Sequence, residues 1–285
     1  KIDTALVVLD ATLAEVRGLP NPPDELEIDL LSDEGIAHFI AGRHHRGLDS
    51  LTRAAHLCRR FDPPKADRLA ARIYSNMGVI YERLGVYDLA LEYMHRALNM
   101  HRAVYGELNA ATALGYNNVG GVLHSMGVYD AALKHYRTAL DLRLKVLGPR
   151  HPDVAQSYGN LGSLYYQMSA YEQALDYFGK AVAIYLDNLG PKDLEVARAY
   201  NNIGSVYDDM GAHELGLQYL QKSLNLYIEI LGPEHLAASV SYNNIAKLYQ
   251  HLGRPNDALE YYEKALALRL KSLGPRHPQV ALSYE

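Results

Sequence analysis

A single cysteine, Cys58, rules out an internal disulfide, and the chain has no Asn-x-Ser/Thr acceptor for glycosylation. Both absences fit a reducing compartment, so a cytoplasmic location is the expectation. Long apolar runs are missing too. One of the longest, residues 5–9, falls far short of the ~20 residues that a membrane helix needs, and no membrane insertion is expected. Positive charge is not in excess: a formal net charge of −5 over 285 residues gives no general attraction to nucleic acid. Catalytic signatures are lacking as well. There is no Gly-x-x-x-x-Gly-Lys phosphate loop, no nucleophile elbow and no His-Glu-x-x-His zinc pair, which argues against an enzyme and against a cofactor. Glu92 and His95 form one Glu-x-x-His, but a di-iron centre needs two such pairs and two further carboxylates.

What the chain does have is a period. Asn76, Asn118, Asn160, Asn202 and Asn244 stand 42 residues apart, and the segments around them are alike. Self-similarity at such a spacing marks a solenoid whose units bury their apolar faces only against their neighbours. Each unit reads as two helices. Helix A covers about 67–84 in the first regular unit and is centred on the asparagine in the others; helix B opens near Asp88, Asp130, Glu172, Glu214 and Asp257, where the helix dipole favours a carboxylate. Gly85, Gly127, Ser169, Gly211 and Gly253 separate A from B, and LGP corners such as the one at Gly148 close helix B before the next unit. Small residues recur where the helices must approach: Gly78, Gly120, Gly162, Gly204 and Ala246 on A, and Ala90, Ala132, Ala174, Gly216 and Ala258 on B. A mid-helix glycine costs about 1 kcal/mol relative to alanine, so its recurrence needs a packing reason. Tyrosines at 74, 116, 158, 200 and 242, and at 81, 165, 207 and 249, read as structural ladders along a half-buried face.

The ends are less regular. Helices are expected at 2–16, 25–41 and 48–61, so residues 1–63 form an N-terminal helix and a degenerate repeat that acts as a cap. Residues 64–285 then hold five regular units, about 67–108, 109–150, 151–192, 193–234 and 235–276. The start of a further helix A is expected at 277–285, because HPQVALSYE repeats the HPDVAQSYG that opens an earlier one, and further repeats of a parent chain are expected beyond it. His151, His235 and His277 recur in equivalent corners and are too dispersed to share a metal, so no metal site is expected. Arg43 to Arg46 with Arg53, Arg59 and Arg60 reads as a solvated basic face or an anion site.

In the fourth unit the pattern Tyr158, Leu161, Gly162, Tyr165, Ala174, Phe178 and Ala181 resembles the tetratricopeptide repeat. The longer 42-residue unit, with its HPDVA opening and LGP close, is similar to the repeats of kinesin light chains and nephrocystin-3. Ser169 departs from the turn glycine, and His213 and Pro255 depart from the turn tyrosine. The resemblance implies an all-α fold, a right-handed superhelical solenoid of antiparallel helix pairs, whose concave wall is built by helices A.

It also implies the site. One inward row would hold Asn76, Asn118, Asn160, Asn202 and Asn244, and a neighbouring row Asn117, Asn201 and Asn243. A carboxamide offers a donor and an acceptor and can bracket a backbone amide of an extended peptide. The same ladder can instead be structural, bonded to the adjacent repeat. Groove positions that differ between units would set selectivity, among them Arg72, Arg83, His124, Tyr166, Arg198 and Lys247. These charges either meet a partner or pair with each other. The expected function is a non-catalytic adaptor that holds an extended or short helical segment of a partner protein. The alternative is the sensor or autoinhibitory arm of a multidomain signalling ATPase.

Overall fold

The computed structural model describes residues 2–20, 23–275 and 280. Among them are thirteen α-helices and no strand: α1 Ile2–Arg17, α2 Asp24–Ile40, α3 His44–Cys58, α4 Lys65–Arg83, α5 Tyr87–Tyr105, α6 Ala110–Ser125, α7 Tyr129–Leu147, α8 Pro152–Gln167, α9 Tyr171–Leu189, α10 Leu194–Asp209, α11 His213–Leu231, α12 Ala238–His251 and α13 Pro255–Leu273. Helices A are α4, α6, α8, α10 and α12, and each is followed by its helix B across a short turn. The further helix A expected at 277–285 lies outside the described residues, Val280 apart. The chain divides into two compact units, 1–146 and 147–285.

Turn chemistry sets the helix ends. Gly85, Gly127, Gly211 and Gly253 lie at φ between 68° and 79°, the left-handed conformation that stops a helix, and Ser169 adopts the same conformation at φ 58° without glycine's freedom. The third helix starts at His44 rather than at 48, since Gly42 at φ 73° completes the preceding turn two residues earlier. It ends at Cys58 rather than at 61, because Arg59, Arg60 and Phe61 bond three residues back and tighten the last turn. His151 caps α8, and His235 makes the equivalent bond in the corner before α12. Nδ1 of His151 accepts from the Asp153 amide at 3.1 Å and that of His235 from the Ala237 amide at 3.2 Å, the place taken by Asn109 before α6 and Asp193 before α10.

Within residues 1–146 the core is built on Ile28, Leu31, Leu51, Ile73 and Ile80. A Cβ on Gly78 would lie 2.9 Å from the Met94 sulfur, and one on Gly120 would lie 2.7 Å from the Tyr136 ring. Within residues 147–285 the core runs through Phe178, Ile203 and Val206 to Leu220, Ile245 and Leu248. Gly162 lies against Phe178 as Gly120 does against Tyr136, and a Cβ there would stand 2.7 Å from the nearest ring carbon. The glycines therefore remain because a large side chain of helix B fills the space over them. The tyrosine ladders clasp A to B: Tyr81 stacks on Tyr93 at 5.4 Å, Tyr165 on Tyr177 at 5.3 Å and Tyr207 on Tyr219 at 5.6 Å, with Arg96, Lys180 and Lys222 over the B-helix rings.

Candidate peptide-binding groove

Two rows of asparagine side chains arise because residues one apart on helix A point about 100° apart around the axis. In residues 147–285 Asn201 of the second row turns toward the next repeat. Asn201 Oδ1 accepts from Asn244 Nδ2 at 3.1 Å and from Ser241 Oγ at 3.5 Å, tying α12 to α10. In residues 1–146 Asn76 donates to Ser32 Oγ at 3.3 Å, tying α4 to α2. The structural role of the ladder is thus present at these rungs. Asn117 and Asn160 are engaged as well. Among the described residues, the half-buried Asn118, Asn202 and Asn243 make no side-chain hydrogen bond within the protein.

Asn202 and Asn160 face a cleft of about 260 Å³ between α8 and α10, whose floor is Phe178, Ala181 and Tyr185 of α9. Arg198 lies at its edge with its guanidinium 3.0 Å from Glu195, and it also bonds to the Tyr227 hydroxyl. One repeat on, a cleft of about 580 Å³ is lined by Val240, Asn243 and Arg269 beside the corner at His235. Burial pushes the Arg269 guanidinium down from its ordinary value.

In the α8–α10 cleft the walls are helices A and the floor is the helix B between them, which the sequence pattern of small residues does not assign to the site. A signal for it is nonetheless present: Tyr185 and Arg269, which line the two clefts, belong to a series with His101, Arg143 and Tyr227 at 42-residue spacing, as regular as the asparagines.

The other candidate residues divide by partner. Arg72 is ion-paired with Asp29, and Lys247 lies 3.3 Å from Asp209. Tyr166 donates to the other oxygen of Asp209 at 2.5 Å, and burial with that carboxylate raises its hydroxyl well above the ordinary phenol range. His124 sits edge-on to Tyr129 and Tyr136, and burial lowers its imidazole against the opposing pull of Glu82. Arg83 lines a separate cleft of about 420 Å³ with Phe39, Val79 and Tyr87. Pairing along the helix A ends continues in Ser125 to Glu82 at 2.6 Å. Of the basic run on the degenerate repeat, Arg43 pairs with Asp3 and Arg60 with Asp24.

A cluster that sequence reasoning misses lies beside this edge. Asp208 Oδ1 is 2.8 Å from Nδ1 of both His213 and His251, which come from the start of α11 and the end of α12. The clue is the departure of His213 from the turn tyrosine, which means little until Asp208 and His251 are placed beside it.

Among the described residues no helix is long and apolar enough to cross a membrane. No curated protein matches the chain. Among solved structures, BtubC (BKLC) from P. vanneervenii is 20% identical, covering 82% of this chain and 94% of that one, with a TM-score of 0.67. A putative kinesin light chain of Podosopora anserina with nearly identical TPR-like repeats is 18% identical over 73% and 97%, TM-score 0.59. A Rap protein complexed with competence and sporulation factor is 16% identical over 92% and 79%, TM-score 0.61. The family model described as tetratricopeptide repeat matches residues 69–119, 111–187, 195–271 and 240–285. Helix pairs with glycine-filled contacts, turn glycines and a 42-residue period agree with that match, and the chain belongs to the tetratricopeptide repeat family.

Proposed function

We propose that the chain is a non-catalytic protein-interaction scaffold that holds an extended or short helical segment of a partner protein in the groove between helices A, with residues 156–202 contributing to it. The family and the fold neighbours support an interaction scaffold, and the Rap protein structure provides a case of this fold in complex with a partner. The observation that carries the finer reading is Asn202. Its carboxamide has no partner within the protein, yet it stands in a polar cleft beside the exposed Arg198, whereas Asn244 and Asn76 are bonded to their neighbours. A peptide backbone amide would satisfy both ends of the Asn202 amide, and a peptide carboxylate would compete with Glu195 for Arg198. That exchange is feasible because an exposed ion pair is worth only about 0–1 kcal/mol.

Selection of a displayed library of linear peptides against the purified chain tests the proposal. Enriched peptides are expected to lose binding to Asn202→Ala and Arg198→Ala proteins of unchanged helicity. Failure to enrich any peptide, or enrichment indifferent to both substitutions, rejects it.

A further inference from the structure

We infer that Asp208, His213 and His251 form a binding site for one divalent transition-metal ion of the zinc class, which clasps α10, α11 and α12 together. The inference is independent of peptide binding. Its ligand atoms, Asp208 Oδ1 and one nitrogen from each imidazole, all lie within 4.8 Å of one another, and the two rings are 5.4 Å apart between centroids. Two imidazoles and a carboxylate are the donor set that suits zinc, cobalt, nickel or copper, whereas calcium and magnesium want oxygen alone.

Three departures from the repeat meet here. Position 213 is tyrosine in the three preceding units, as Tyr87, Tyr129 and Tyr171; position 208 corresponds to Glu82, His124, Tyr166 and Gln250; and position 251 to Arg83, Ser125, Gln167 and Asp209. Only in this unit does the combination supply three metal ligands at one point.

Electrostatics calls for a cation at that point. The Asp208 side chain is only 4% exposed, it lies in the last turn of α10 where the helix dipole repels an anion, and Asp209 follows it directly. Lys247, the nearby ammonium, is directed at Asp209. The two imidazoles hydrogen-bond to Asp208 through Nδ1. A divalent ion would take the place of those bonds, with each ring carrying a proton on Nε2 so that the Nδ1 lone pair faces the metal.

The exchange needs a local rearrangement of the three side chains, whose ligand atoms now lie within 4.8 Å of one another. Ligand atoms about 2.0–2.1 Å from a tetrahedral ion stand about 3.3 Å apart, so the two 2.8 Å contacts need to open by about half an ångström. The His213 and His251 side chains are 26% and 39% exposed, which leaves a path for entry and room for water at the fourth position.

The test is titration of the chelator-treated full chain with Zn²⁺ by calorimetry and with Co²⁺ by visible absorption, alongside His213→Tyr and His251→Gln. Both substitutions install residues that other units carry at or beside those positions, and circular dichroism checks that helicity is kept. One Zn²⁺ per chain is expected, with a Co²⁺ d–d spectrum, at least tenfold weaker binding in each variant, and a zinc-dependent rise in Tm that the variants lose. The absence of Zn²⁺ binding overturns the proposal. So does binding of equal strength in both variants, which would place the ion on other histidines, and so does Mg²⁺ binding as strong as that of Zn²⁺.

Discussion

Gly204 on α10 and Gly216 on α11 face each other so closely that a Cβ on either would stand 3.0 Å from the other's carbonyl oxygen. The first of these would also come within 2.7 Å of the Leu220 side chain. Leu220 has some freedom to turn, but the opposing backbone has none, so Gly204→Ala is expected to destabilise residues 147–285 by about 1–3 kcal/mol. Gly179, also within a helix, has open space where its Cβ would be, and Gly179→Ala should stabilise by about 0.5–1 kcal/mol. Urea unfolding followed by circular dichroism compares them. Equal effects would mean that helix propensity, and not the approach of the two helices, governs these sites.

The asparagine rungs should separate by the same measurement. Asn244→Ala removes the nearer of two donors to Asn201 and should cost about 1 kcal/mol, since the more distant Ser241 hydroxyl is left as its remaining donor. Asn202→Ala removes no bond within the protein, and alanine's better helix propensity should leave stability unchanged or raised by about 0.5 kcal/mol. A loss of stability in both variants would make both rungs structural.

Ser169 occupies a left-handed position that glycine fills in the other turns, at φ 58°. Ser169→Gly relieves a conformational cost of roughly 1 kcal/mol, partly offset by the freedom glycine gains in the unfolded chain. A small rise in Tm is expected, and a fall would show that the serine side chain contributes more than its backbone costs.

Much of this is legible in the sequence and some is not. The period of 42, the turn glycines and the facing small residues specify helix pairs because each is a local requirement repeated five times. His151 and His235 announce their position but not their role: acceptance of a backbone amide by Nδ1 depends on a ring orientation that spacing does not encode. Asparagine rows are visible, but which rungs bond to a neighbour depends on the serines opposite them, as with Ser32 for Asn76. The groove floor is hidden because the clearest pattern on helix B is its small residues, which report packing and not the site. The Asp208 cluster joins residues from two repeats, so a comparison of aligned positions passes over it.

Acid should weaken residues 1–146 before the carboxylates titrate. His101 and His124 are held below the ordinary imidazole value near 6.5 chiefly by burial, and His95 by burial and by the neighbouring His135. In the unfolded chain these rings take up protons near that value, while the folded chain resists. The unfolded state therefore binds more protons below about pH 6.5, and stability falls as pH drops from there through the lowered folded values. Denaturation midpoints at pH 7.5 and 5.5 should differ in this sense, and His101→Phe, which removes a buried ring whose Nδ1 lacks a partner, should reduce the difference. An undiminished difference would show that His101 does not contribute to it.

The groove itself is tested most directly by fluorescence anisotropy with a selected peptide, comparing Asn202→Ala with Asn225→Ala on the flank of α11, where Asn225 accepts from Gln221 at 3.4 Å. Loss of the two hydrogen bonds from Asn202 to the peptide should raise Kd by about tenfold or more, equivalent to ~1.4 kcal/mol, while Asn225→Ala should change it by less than about twofold. Equal Kd values for the wild-type and Asn202→Ala proteins would contradict binding in the α8–α10 groove.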